Sequence, residues 1–265
     1  METKKFVLFS DCIPVKGANR SIICDMLNND YYFIPNGLFD ILENYNGETV
    51  DYVKTQFKNE YDETIDEYFD FLLSKNSIFF TTKPHFFPKI NLKWDAPSPV
   101  TNAIIDYEHT DHDFRKILQQ LELLKCSHIQ LRFFKEVSIE TVSYLLAIVE
   151  QEKSRILSID FILPYHKTFS KKEIDIIIKN NPRIHAVILY NAPYEKKYEP
   201  LSPSNKMGYF IRTKRQILNE KSCGIINEEY FYSNIKLFTE SLHHNTCLNR
   251  KIAIDRTGNI IDLLK

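Results

Sequence analysis

The chain has 265 residues, 43% of them hydrophobic and 13% aromatic, enough for one large domain or two modest ones with real cores. A formal charge of −1 gives no ground for a nucleic-acid or anionic-membrane binder, and no run of roughly 18 apolar residues is present to span a bilayer. The opening METKKFVLFSDC is too briefly apolar for a secretion signal, so five scattered cysteines (Cys12, Cys24, Cys126, Cys223 and Cys247) read as free thiols of a cytoplasmic protein.

Residues 1–83 read as one module. KFVLFSDCIPVKG, RSIICDML and DYYFIP are three short β-rich runs separated by Gly, Asn and Asp turn signals. Helical patterns follow in NGLFDILENYNG, TVDYVKTQF and ETIDEYFDFLLSKN, where Ile65, Phe69 and Leu72 form one apolar stripe. SIFFTT returns to strand. Short strands, three small helices and a closing strand predict a winged-helix module. Its third helix carries five carboxylates (Asp62, Glu63, Asp66, Glu67 and Asp70), which repel phosphates and disfavour nucleic acid. Residues 84–100 hold most of a segment with four prolines, KPHFFPKINLKWDAPSP, and predict an extended linker that packs through Phe86, Phe87 and Trp94.

From residue 101 the rhythm becomes strand then helix. TNAIIDY precedes DFRKILQQLELLK, HIQLRFF precedes SIETVSYLLAIVEQEK, and LSIDFILPY precedes SKKEIDIIIKNNP, whose Ser170 and Glu173 have capping-box spacing. IHAVILYNAP is a fourth strand. These units predict an α/β fold over 101–240 with a parallel sheet covered by helices, an incomplete β/α barrel or small open sheet in place of a closed eight-stranded barrel. After a polar, proline-rich loop, MGYFIRTKRQIL reads as an edge strand and NEEYFYSNIKLFTESLHH as a helix. Residues 241–265 close the chain with a hairpin, RKIAID turned by RTGN.

The sequence offers little self-sufficient chemistry. No two cysteines stand within two to four residues of each other, and neither a GxGxxG nor a GxxxxGK[ST] loop is present. His244 and Cys247 supply two ligands at most. EHTDHD, from Glu108 to Asp113, is denser. It follows the first sheet strand, where α/β folds place active sites, and with Asp106 it offers Glu108, His109, Asp111 and His112 for an acid–base or metal role. The competing reading is a polar loop that caps the next helix.

The order of parts, with FSDCIPVKGANRSIICDMLNNDYYFIP at the start and CLNRKIAIDRTGNI at the end, resembles the peptide maturases of grasp-with-SPASM gene systems. These are relatives of radical-SAM peptide-modifying enzymes, proposed to act with an ATP-grasp ligase on a ribosomally made precursor peptide. The resemblance implies that residues 1–83 are a leader-peptide recognition element, in which the peptide adds a strand to the third strand and rests against the third helix. The matching positions are Tyr31, Tyr32, Phe33 and Ile34, with Glu63, Asp66, Glu67, Tyr68, Asp70 and Phe71. Lys16 and Arg20, flanking Gly17, are candidates for docking a partner; the plainer reading is a solvated turn.

The resemblance also implies a radical-SAM partial barrel, whose CxxxCxxC loop would fall at EHTDHDFRK, where no cysteine stands. Cys247 matches the first cysteine of the SPASM pattern, and GNIIDLLK stops where the next is due, so 241–265 reads as a truncated SPASM-like hairpin with one remnant cluster ligand. The implied role is a noncatalytic or degenerate maturase component, without a cofactor, that binds the leader and assists an ATP-grasp ligase. Exposed sheet edges permit a homodimer. Two alternatives stand beside it: an enzyme using residues 106–113, and a structural winged-helix protein.

Overall fold

The fold is that of a computed structural model, which describes residues 3–108, 112–198, 208–222 and 234–261. The chain is α/β and divides into two compact units, residues 1–95 with 226–244, and residues 96–225 with 245–265. No described helix is long and apolar enough to cross a membrane.

In the first unit, the run expected as one strand breaks at Phe9–Asp11 into β1 (Lys5–Leu8) and β2 (Cys12–Val15), which join different sheets. β1 pairs antiparallel with β5 (Ile78–Thr81), while β2, β3 (Ser21–Asp25) and β4 (Asp30–Ile34) form a three-stranded antiparallel sheet in that order. Both hairpin turns are written into the sequence. A Cβ on Gly17 would lie 2.1 Å from the Arg20 carbonyl oxygen, so only glycine fits there. In the next turn the Asp25 carboxylate accepts the Leu27 and Asn28 N–H groups, and Asn29 takes a positive φ of 53°.

Helices α1 (Asn36–Tyr45), α2 (Val50–Gln56) and α3 (Asp62–Ser74) bury Leu38, Leu42, Val53, Ile65, Phe69 and Leu72 against Phe6, Ile23 and Ile34 of the sheets. A single 3₁₀ turn at Pro84–Phe86 starts the linker, which then runs without regular structure to Thr101. Phe87 meets Phe79 edge-on at 4.7 Å, and Trp94 meets His244 at 4.9 Å. Phe86 does not pack as expected: the 3₁₀ turn leaves it 65% exposed beside His85. Of the helix expected over 227–244, residues 227–233 lie outside the described residues, and α7 covers Ile235–Ser241.

The second unit is one open sheet with strand order β10-β11-β9-β8-β7-β6-β12-β13. β6 (Asn102–Tyr107), β7 (His128–Phe133), β8 (Ser158–Pro164) and β9 (Ile184–Tyr190) are the expected parallel strands. Two further strands extend them in parallel, β11 (Tyr209–Arg212) beside β9 and β12 (Lys251–Ile254) beside β6. β11 is therefore not the edge its basic residues predict. The short β10 (Lys196–Tyr198) pairs outside it, and Arg212 lies buried among the rings of Tyr165, Tyr194, Tyr198 and Phe210. The terminal hairpin of β12 and β13 (Ile260–Ile261) forms as expected, but it is a continuation of the main sheet rather than a separate appendage.

Helices α4 (Phe114–Leu123), α5 (Ile139–Gln151) and α6 (Lys171–Asn180) connect the first four parallel strands and pack on Ile105, Leu131, Phe161 and Leu189. Asp113, Ser138 and Ser170 cap them, each accepting the N–H three residues on, and Ser170 with Glu173 completes the capping box. Ser170→Ala is expected to lower the stability of this unit by about 1 kcal/mol, read as a shift of the urea midpoint. Lys172→Ala, on the same turn, should leave the midpoint in place.

Candidate functional site

β4 is the outer strand of its sheet, and its sequence gives the two faces different work. Tyr32 and Ile34 point toward the helices: Ile34 is 2% exposed, and the Tyr32 ring meets Phe71 of α3 at 5.7 Å. Tyr31 and Phe33 point the other way and are half-exposed, their rings 6.0 Å apart. The Tyr31 N–H donates to the Asp30 side chain at 2.8 Å, so it faces away from β3. By the two-residue repeat of a strand, the Phe33 N–H faces the same open side. The edge thus offers backbone donors and acceptors for another strand.

α3 runs beside this edge. Phe71 and Lys75 both meet Tyr32 of β4, and Tyr68, about one turn earlier on the same side of the helix, has its hydroxyl 3.8 Å from where a Cβ on Gly37 of α1 would lie. Near the start of α3, Gly37, Ile41, Phe57, Tyr61, Ile65 and Tyr68 line an apolar pocket of about 220 Å³. The expected carboxylates divide. Helical spacing puts Glu67 on the flank next to the groove and Glu63 and Asp70 farther round, all exposed, whereas Asp66 turns to α2 and binds Lys54 at 2.7 Å. Tyr32 also hydrogen-bonds Ser77, and burial first, with neighbouring Cys12 and Asp25 adding to it, raises its hydroxyl pKa.

The two cations of the Gly17 turn divide as well. Lys16 is neutralised by Asp40 at 3.0 Å and lies over the Phe39 ring. Arg20 stacks on Phe33, its guanidinium carbon 3.5 Å from the ring centre. Sequence reasoning placed Arg20 in a turn but gave no sign that it reaches β4. It missed Lys75 entirely, which reads as an ordinary basic residue at a helix end.

In the second unit, the described members of the candidate acid–base set each have other partners. Asp106 is buried in a two-pronged ion pair with Arg132, at 2.5 and 2.7 Å, and is committed to the sheet. Glu108 pairs with Lys135 at 3.4 Å and with Arg256 at 2.9 Å. His112 donates from Nε2 to the Asp106 carbonyl at 2.8 Å, and Asp113 caps α4. His109 and Asp111 lie outside the described residues. The helix-capping reading of the loop accounts for what is seen, although a pocket of about 270 Å³ opens above β6 and β7, lined by Tyr107, Phe133, His112, Tyr144 and Leu145. Tyr107 stacks on Phe133 at 4.9 Å, and its buried hydroxyl has no hydrogen-bond partner among the described residues. The one signal for the ion pair was an arginine inside HIQLRFF, which needs an acid once the strand is buried.

Cys12, Cys24 and Cys126 are buried and Cys247 is exposed; Cys223 lies outside the described residues. Burial, then the Asp25 and Asp11 carboxylates, pushes the Cys12 thiol up to about 12, so it stays protonated at neutral pH. Among these four, Cys247 should react first with a charged thiol reagent at pH 8, read by mass spectrometry of the folded protein. Faster labelling of Cys12 would contradict the described burial. Among the described residues, no group of three or more His, Cys, Asp or Glu side chains is gathered to hold a metal ion.

No family model and no curated protein sequence matches the chain. A similar solved structure is the crystal structure of Streptococcus suis SuiB bound to S-adenosylmethionine, 13% identical, with a TM-score of 0.26, covering 70% of this chain and 48% of that one. The chain thus spans about half the length of SuiB. Identity and superposition at that level define neither a shared activity nor shared ligands.

Proposed function

We propose that the chain is a noncatalytic, cytoplasmic component of a ribosomal-peptide maturation system. Its first unit, a winged-helix-like recognition element, captures the leader of a precursor peptide by strand addition to β4, and the chain assists an ATP-grasp ligase that makes the bond. The observation that carries the reading is the open edge of β4, with the Tyr31 N–H directed away from β3 and an aromatic groove alongside at Tyr32, Tyr68 and Phe71. The quoted stretches that resemble grasp-with-SPASM maturases support it. So does the absence of cysteine from the loop at 108–116, which leaves no CxxxCxxC set at that place.

The test is titration of the full chain with synthetic leader peptides from short reading frames beside the gene, followed by calorimetry and backbone amide shifts. Saturable shifts on residues 30–34 and 64–75 are expected. Binding confined to residues 96–225, or capture of the leader by the ligase alone, would sink the assignment.

The pocket above β6 and β7 favours a second reading, a small-molecule enzyme site in the second unit, because Tyr107 brings to its wall a hydroxyl with no partner among the described residues. Saturation-transfer NMR with small phenols and indoles tests it. If none binds the wild type, or if binding is unchanged when Leu145→Trp fills the pocket, that reading ends.

A further inference from the structure

Both faces of the β4 edge carry a cation. On the outer face is Arg20, stacked on Phe33 at 3.5 Å; on the helix face is Lys75, its ammonium 5.6 Å from the centre of the Tyr32 ring. Both side chains are exposed. Lys16 and Lys54 are neutralised by Asp40 and Asp66, whereas among the described residues Arg20 and Lys75 have no ion-pair partner. A cation resting on a ring keeps donors free for an anion and is already partly ordered, so less side-chain freedom is lost when an acid binds.

Tyr32 and Phe33 are consecutive, so their side chains leave β4 on opposite faces. Two consecutive residues of a strand laid beside them do the same. We propose that the peptide strand joining β4 carries two consecutive acidic residues, one received by Arg20 on the outer face and one by Lys75 on the helix face. This rests on strand addition at β4. The acids must be few and locally placed, because Glu67 of α3 stands on the flank of the same groove, with Glu63 and Asp70 farther round the helix, and opposes an extended polyanion such as nucleic acid.

The experiment uses the full chain and three synthetic ten-residue peptides, identical except for a central pair set to Glu-Glu, Gln-Gln or Lys-Lys. Affinity is read by calorimetry and location by amide shifts. Glu-Glu is expected to bind about tenfold tighter than Gln-Gln, with Lys-Lys weakest. Arg20→Gln or Lys75→Gln should each remove about threefold of that preference, and the double variant should abolish it. Equal binding of the three peptides, with shifts still on residues 30–34, overturns the charge assignment and leaves strand addition standing. A Glu-Glu preference that survives the double variant also overturns it, as does displacement of the peptide from the same residues by a single-stranded oligonucleotide. No binding by any peptide at about 1 mM, or shifts away from β4, overturns both.

Discussion

Arg132→Met is expected to destabilise the second unit by about 3–5 kcal/mol, because it strands the Asp106 carboxylate inside the sheet. Asp106 and Arg132 sit side by side in the parallel register of β6 and β7 and are 3% and 9% exposed. Both carboxylate oxygens are taken by the guanidinium. Removing the cation leaves a charge that neither water nor another described side chain can satisfy in place. Asp106→Asn alone should cost less, since the amide oxygen still accepts from Arg132. The apolar double replacement, Asp106→Leu with Arg132→Met, should recover most of the loss. Urea unfolding followed at the second unit measures all three. A loss below about 1 kcal/mol for Arg132→Met would mean that the pair is solvated and that Asp106 remains available for chemistry.

Tyr31→Pro should weaken leader binding about 30-fold more than Tyr31→Ala, a difference of about 2 kcal/mol. Proline removes the N–H that points to the open side of β4 and puts its ring where the added strand would lie. Bonds from β4 to β3 should survive, because the Tyr31 N–H already points away from β3. Proline is tolerated on such an edge, and the residue before it, Asp30, is already extended. Equal urea midpoints for the two variants would confirm that only the edge was altered. Tyr32→Pro, which faces β3, should instead unfold the sheet. If Tyr31→Pro and Tyr31→Ala bind the leader equally, the peptide does not join as a strand.

Local patterns carried most of the helices and the first four parallel strands into view, because apolar residues at helical spacing and N-cap residues act within a few positions. Pairing between distant segments was not legible. Nothing in RKIAID says that it will lie beside TNAIIDY, since an antiparallel hairpin and a parallel neighbour ask for the same alternation. β11 misled for a different reason: arginine reads as exposed, yet Arg212 enters the interior by covering its charge with aromatic rings. At the candidate site, the aromatic edge was readable from DYYFIP. The pairing of Arg20 with Phe33 and of Lys75 with Tyr32 was not, because both depend on how a turn and a helix end are carried toward the strand.

The place of β12 bears on how the protein is born. β6 has β7 on one side and β12 on the other, and the bonds from the Thr101 N–H and hydroxyl to the Arg250 carbonyl span 149 residues. As synthesis proceeds, one flank of β6 stays bare until the ribosome has released nearly the whole second unit. During that interval the nascent chain exposes a strand whose buried face is Ala103, Ile105 and Tyr107, a ready template for pairing with another copy on the same message. A longer interval between synthesis of β6 and of β12 should therefore lower the yield of folded protein.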